Sequence, residues 1–257
     1  MKPLLIVLEG IDGSGITTHA RLLAERLRRL GVEAVYEKEP SSGPVGRLIR
    51  GALQGREPLL ARSEVLALLF AADRFTHLYG CLYSAAESCV MGHLSRGTTV
   101  VMDRYKYSSM AYQSAGQPGL GAAPRHWVGL VNAYAPPPHV LVYIDVPVEV
   151  ALERIAARSR RELTETRESL QAVKEAFEEI MEQLSREPEH CPHREPRAPW
   201  ERLLDELAPG LRQRLYPPNR CYPLRVARVR GVDGRGEPRS IEDVSRDIMA
   251  VVAGLVD

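Results

Sequence analysis

Apolar and polar positions alternate between two patterns along this chain. Five runs are short and largely apolar: "PLLIVLEG", "VEAVYEKEP", "TTVVMDRY", "HVLVYIDVP" and "RVARVRGV". Their length and their ends in glycine, proline or charge predict strands. The intervening segments repeat apolar residues three and four apart, which is helical spacing. In "TTHARLLAERLRRLG" the repeat runs through Ala20, Leu23, Leu27 and Leu30, and Gly31 stops it. "VEVALERIAARSR" predicts a second helix, and residues 163–184 a third with Leu170, Val173, Phe177, Met181 and Leu184 on one face. Residues 44–94 read as mainly helical. Ser240 and Asp243 form a capping pattern that opens a last helix with Ile241, Val244, Ile248 and Val252 inward.

Strands this apolar, alternating with helices, predict an α/β fold with a parallel sheet covered on both faces. Ligands of such sheets bind beyond the carboxyl ends of the strands. Glu9, Glu39, Asp103 and Asp145 fall at such ends. Residues 1–184 read as the core. Residues 185–222 are rich in Pro, Arg, His and Glu and read as an insertion with one short helix in "WERLLDELAPGLRQRL" between irregular arms. Residues 223–257 supply the last strand and helix of the same core.

A length of 257 residues suits one domain with an insertion, and a formal charge of +1 argues against general nucleic-acid binding. The apolar runs are of strand length, so no membrane span is expected, and the chain opens on a strand without a cleavable signal. Four widely spaced cysteines, Cys81, Cys89, Cys191 and Cys221, imply reduced thiols and a cytoplasmic protein. Thirty of the 34 basic residues are arginine, as a heat-loving or high-GC source would give. His190, Cys191, His193 and Cys221 could be drawn into a zinc site, but Cys221 stands alone and incidental loop residues explain them better.

The chemistry concentrates in "LEGIDGSGITTHARLL". Gly10, Gly15 and Thr17 fit Gly-x-x-x-x-Gly-x-Thr between a strand and a helix, the layout of a phosphate-binding loop. Glycines allow successive backbone N–H groups to turn inward, and the helix adds its positive end. Thr17 offers a hydroxyl to Mg²⁺. The residue after Gly15 is Ile16, where such loops carry lysine.

The same stretch resembles the opening of the thymidylate kinase family, and further blocks follow in order. "EKEPSSGPVGRLIR" resembles that family's Glu-Pro segment, "LLFAADRFTH" its thymine-binding helix and "VMDRYKYSSMAYQ" its Asp-Arg-Tyr block. "PPHVLVYIDVPVEVALERIAARSRR" resembles its strand and the helix leading to its lid. The resemblance covers most of residues 1–184 and, more loosely, 224–257. It implies a P-loop nucleoside-monophosphate-kinase fold with a helical lid at about residues 154–168. The implied activity is transfer of the γ-phosphoryl group of ATP to dTMP with Mg²⁺, in a homodimer.

Site residues carry over position by position. Gly10, Ile11, Asp12, Gly13, Ser14, Gly15, Ile16, Thr17 and Thr18 are the donor-phosphate loop, with Asp12 near the acceptor. Glu39, Phe70, Arg74, Ser109, Tyr112 and Gln113 are dTMP contacts, Phe70 by stacking and Tyr112 against the deoxyribose. Arg104 is the clamp on the acceptor phosphate. Asp103, with Thr17, orients Mg²⁺ through water. The loop lacks an arginine, so the resemblance assigns that role to the lid, with Arg158 or Arg161 foremost and Arg154 and Arg160 as neighbours. Lys106 is a weaker source of charge.

Ile16 leaves two readings: a kinase in which another cation compensates, or a nucleotide-binding pseudo-kinase with a regulatory or scaffolding role. A deoxynucleoside kinase is a third, but its uncharged acceptor would leave Arg104 idle.

Overall fold

The computed structural model describes residues 2–84, 88–116, 119–157, 162–191, 197–218, 220–223 and 225–255. Its strands are β1 (Leu5–Glu9), β2 (Ala34–Lys38), β3 (Thr99–Asp103), β4 (Val140–Asp145) and β5 (Arg225–Arg230), all predicted from the apolar runs. They form one parallel sheet in the order β2-β3-β1-β4-β5. The chain reverses direction across the sheet beside β1, so the carboxyl ends of β1 and β3 open onto a shared crevice.

Side chains on successive strand residues face opposite sides. Leu5, Val7, Val100, Met102, Leu141 and Tyr143 face one apolar cluster, and Ile6, Leu8, Val101, Val140, Val142 and Ile144 the other. Helices α1 (Ile16–Arg29) and, near the C-terminus, Ile241–Ala253 cover the second face. On the first side α2 (Pro44–Leu53) packs on α3 (Ser63–Tyr83), and α3, α4 (Val90–Ser95), α5 (Lys106–Ser114), α7 (Val148–Ala156) and α8 (Arg167–Arg186) cover the sheet, with α6 (Arg125–Val131) packed on α3 and α5. Of the predicted α1 stripe, Ala20, Leu23 and Leu27 are buried, but Leu30 is exposed because it caps the helix end. Ile241 is likewise half-exposed at the start of its helix, and Ser240 caps that helix by accepting from the Asp243 N–H.

Three local expectations change. The helix predicted from residue 163 starts at Arg167, because Thr166 accepts the Ser169 N–H as its cap. The single short helix expected within 200–215 is two, α9 (Pro199–Leu207) and α10 (Leu211–Leu215), broken at Ala208-Pro209-Gly210. That makes α11 the helix Ile241–Ala253. The thiols are not reduced: Cys81 pairs with Cys89 and Cys191 with Cys221. The first pair ties α3 to the cap of α4, which spacing alone does not show. The second sits beside a two-bond bridge between His190 and Tyr222, so the base of the segment carrying α9 and α10 is closed twice. The described residues contain no cluster of three or more His, Cys, Asp or Glu fit to hold a metal, and His193 lies outside them.

That segment packs on the first face. Trp200, Leu204, Leu211, Leu215, Tyr216 and Tyr222 join its cluster. Its anchor is His139, whose Nδ1 accepts the Leu5 N–H at 2.9 Å while Nε2 lies 2.9 Å from the Leu215 carbonyl. Only the neutral ring with its proton on Nε2 serves both partners. Burial accordingly lowers the His139 pKa to about 4. A depressed histidine contributes stability fully above its ordinary value of 6.5 and loses it as pH falls through 4. His139→Ala is expected to cost about 1–3 kcal/mol in denaturant unfolding at pH 7, since Leu5 N–H loses its partner. The loss is expected to shrink steadily from pH 6.5 to 4; a cost independent of pH contradicts this account.

Candidate active site

The loop after β1 turns on two left-handed glycines, Gly13 at φ 84° and Gly15 at φ 94°. Gly13 also lies so near α7 that an added Cβ would stand 2.4 Å from the Ala151 carbonyl oxygen. This geometry carries the chain from β1 into α1, whose first amides, Ile16, Thr17 and Thr18, have no carbonyl within the helix to bond. The positive end of α1 faces the same space. Ile16 is buried and packs with Ile6, Leu8, Ala20 and Ile144, so its side chain braces the loop from below. The loop remains open: Ile11, Asp12, Gly13, Gly15, Ile16, Thr17 and Thr18 all line a cleft of about 610 Å³.

Arg104 crosses from the end of β3 to that loop. It is the one described non-glycine residue at positive φ, 71°. The strained backbone is held by the Arg104 N–H bond to Leu8 O at 3.1 Å and by the guanidinium bonds. Nη1 donates to Gly10 O at 2.8 Å and Ser108 Oγ at 2.9 Å, and Nη2 to Asp12 Oδ1 at 2.6 Å. Burial opposes its charge, but Tyr112, Asp12, Glu9 and Asp103 outweigh burial. Beneath it, buried Glu9 accepts the N–H groups of Tyr105 and Ser108, both at 3.0 Å, and so fixes the start of α5. Burial pushes the Glu9 carboxyl up to about 7. Tyr112, farther along α5, accepts the Asp12 N–H at 2.8 Å.

At the floor of the cleft Arg74 is 2 % exposed. Nε and Nη2 both bond Glu39 Oε2, at 2.8 and 2.6 Å; Nη2 also reaches Ser109 Oγ, and Nη1 meets Asn132 Oδ1. A guanidinium has five N–H groups, so one on Nη1 is left beyond these partners, and Arg74 lines the cleft. Nearby, Gln113 Oε1 is buried without a hydrogen-bond partner among the described residues. Phe70 lines the same pocket from α3, packed on Ile49, Leu53 and Leu66. A spare donor, a spare acceptor and an aromatic face suit a flat ring bearing carbonyl and N–H groups. Asp73 accepts both the N–H and hydroxyl of Ser41, which fixes the loop after the cis Glu39–Pro40 bond.

At the loop end, Thr17 Oγ1 donates to Asp103 Oδ2 at 2.6 Å, and Tyr36 OH donates to the same oxygen at 2.8 Å. A hydroxyl and a carboxylate are hard oxygen ligands, the donor set Mg²⁺ prefers when phosphates and water complete its shell.

The structure brings together in one cleft all but two of the residues expected from Gly10 to Gln113, Gly10 and Ser14 lying beneath the loop surface. Arg158, Arg160 and Arg161 lie outside the described residues. Arg154 is described, and its Nη1 donates to Gly13 O at 3.3 Å. Lys106 is a correction: it points away from the cleft, buried against Ala135 O and Glu189. Its position two residues after Arg104 is on α5, whose turn sends it to the opposite side.

Sequence reading passed over Lys38, Glu162, Thr164 and Glu165, which also line the cleft. Lys38 stands beside Glu39 in the sequence, and the two glutamates lie in "ELTETR", between the lid arginines and α8. Burial, with Asp12 and Glu165 nearby, raises the Glu162 pKa to about 7.

Behind Arg74, His77 lies 3.1 Å from Glu37 and 3.7 Å from Glu39, with His93 on the far side of Glu37. Burial disfavours its charge, but the two carboxylates prevail and raise its pKa to about 9. A raised histidine contributes stability fully below 6.5 and loses it as pH rises through 9. The unfolding midpoint of His77→Gln is therefore expected to fall furthest below wild type near pH 6 and to approach it above pH 9. An equal gap at both ends would mean that His77 acts by packing alone.

Comparison with known proteins shows the family and supports the fold. The family model for thymidylate kinase matches residues 8–188. A protein of Aeropyrum pernix assigned as a thymidylate kinase is 51 % identical over 177 residues, covering 69 % of this chain and 78 % of its own. One from Methanococcus aeolicus, with the same assignment, is 37 % identical over 185 residues, covering 72 % and 83 %. The solved structure of thymidylate kinase from Candida albicans superimposes with a TM-score of 0.65 at 19 % identity, covering 98 % of this chain and 92 % of that one, and supports the fold.

Proposed function

The chain belongs to the thymidylate kinase family, and we propose that its cleft transfers the γ-phosphoryl group of ATP to dTMP, giving ADP and dTDP. The observation that carries this reading is the joining of an open phosphate loop to a ring-sized pocket through Arg104. The loop amides and the end of α1 hold the donor phosphates. Arg104, already charged and fixed by Asp12, clamps the acceptor phosphate. The attacking oxygen belongs to a phosphate whose second pKa is about 6, so no side chain need remove a proton at neutral pH. Catalysis is then a matter of positioning and charge. Thr17, with Asp103 through water, would hold Mg²⁺, which neutralises charge on the donor phosphates when bound.

In the acceptor pocket, Phe70 stacks on thymine, the spare Arg74 N–H donates to a base carbonyl, and Gln113 Oε1 accepts the ring N–H. Ser109 holds Arg74 in place, and Tyr112 closes on the sugar. Glu162 to Thr166 belong to a lid: Leu163 N–H already bonds Leu53 O at 3.1 Å, across the mouth of the cleft. Residues 185–222 act as a docked insertion on the core.

A second proposal concerns assembly. Helix α3 has the length and apolar composition of a membrane span, yet its Asp73 and Arg74 anchor the cleft. Its outer side shows Leu68, 51 % exposed, and Tyr83, and Leu130 and Tyr134 are exposed in and after α6. Phe75 joins Tyr83 and Tyr134 in ring contact there. A second copy of this chain would cover that apolar face, as the family resemblance implies.

A coupled ADP-release assay with ATP tests the activity. Turnover is expected with dTMP and not with thymidine, and Arg104→Met is expected to lower kcat/KM for dTMP by about 10²–10³-fold. If both nucleotides raise the melting temperature but no ADP appears, the pseudo-kinase reading replaces this one. Sedimentation is expected to show a dimer that Leu68→Glu dissociates; a wild-type monomer rejects the assembly proposal.

A further inference from the structure

Position 16 brings no charge to the loop, so the cation that normally faces the terminal phosphates must come from elsewhere. The basic residues lining the cleft, among those described, are Arg21, Lys38, Arg50, Arg74 and Arg104. Four are committed. Arg74 and Arg104 are buried in the networks above. Arg50 donates to Pro40 O at 2.9 Å, and the Arg21 guanidinium lies over the Tyr36 ring at 5.0 Å.

Lys38 differs in place and freedom. It is the last residue of β2 and stands in register with Asp103, the last residue of β3. Its side chain is 46 % exposed. Nζ lies 3.2 Å from Thr17 Oγ1 and 3.4 Å from Asp103 Oδ2, beside the first turn of α1. The backbone is held by the sheet while the four-carbon stem is free to rotate, and the compact ammonium presents three donors in any direction. Its ion pair with Asp103, at 3.4 Å the one it makes among the described residues, is long for a charged contact, so phosphate oxygens can take it over at little cost.

We propose that Lys38 is the phosphate-directed cation of this site, reaching from the neighbouring strand to the terminal phosphates of the donor nucleotide in place of a loop lysine. This rests on the phosphoryl-transfer reading above. Lys38 makes and breaks no covalent bond. It carries charge to oxygens whose negative charge grows as the γ-phosphoryl group moves. Ile16, relieved of that duty, is free to serve the apolar core.

The test compares Lys38→Met and Lys38→Arg with wild type, and adds Ile16→Lys to the Lys38→Met chain. Two readouts are used: kcat with ATP and dTMP, and calorimetric affinity for ATP in excess chelator, where no divalent ion can mask the ammonium. Lys38→Met is expected to lower kcat by about 10²-fold and to weaken metal-free ATP by about tenfold, while dTMP affinity stays within about twofold. Lys38→Arg is expected to retain most of both. Ile16→Lys is expected to recover at least about tenfold of the lost kcat, because the charge returns from the loop itself. The proposal is overturned if Lys38→Met binds metal-free ATP as wild type does, or if Lys38→Arg is as impaired as Lys38→Met. Absence of turnover in wild type would reject the kinase reading, and metal-free ATP affinity would still decide the role of Lys38.

Discussion

The site depends on how closely one turn of backbone can approach its neighbours. The chain leaves β1, presses against α7 near Ala151, and enters α1 within a few residues. Only residues without Cβ fit the close approach at Gly13 and the left-handed entry at Gly15. What results is a set of backbone N–H groups with no internal partner, backed by a helix dipole. The grip on phosphate is therefore a property of the main chain. That is why the apolar Ile16 can sit at its base without closing it, and why its side chain could be given to packing against Ile6 and Ile144.

Charge in the cleft is organised around that turn, with most cations bound to internal carboxylates or carbonyls. Arg104 is tied to Asp12, and Arg74 to Glu39, which leaves each guanidinium aimed and desolvated before any ligand arrives. Such pre-organisation lets hydrogen bonds act without first rearranging, which is where electrostatic catalysis gains most. Glu9 links the two halves: it ends β1, and its carboxyl carries the start of α5, from which Ser108, Ser109 and Tyr112 project. The floor of the acceptor pocket and the donor loop are thus parts of one hydrogen-bonded unit.

Much of this was legible in the sequence. Apolar runs gave all five described strands, because strands buried on both faces leave little room for polar residues. The phosphate loop and the blocks around Glu39, Phe70, Arg74 and Arg104 converge on one cleft. What escaped depends on three-dimensional neighbours. Lys38 gains meaning only when β2 and β3 lie side by side in register. Lys106, two positions from Arg104, turns to the other side of α5, a direction that residue spacing does not fix. The cysteine pairs tie α3 to the cap of α4 and join the two sides of the His190–Tyr222 bridge, proximities that only the folded chain shows. Glu162 and Glu165 reach the cleft because the segment before α8 folds back toward α2.

The central claim, that backbone amides of the first turn hold the donor phosphates beside an apolar residue, is tested most directly by the amide resonances of that turn. Adding ATP to ¹⁵N-labelled protein is predicted to shift the N–H signals of Gly13, Gly15, Thr17 and Thr18 together, saturating at one dissociation constant that calorimetry reproduces. Binding by calorimetry with those four signals unmoved would contradict the account.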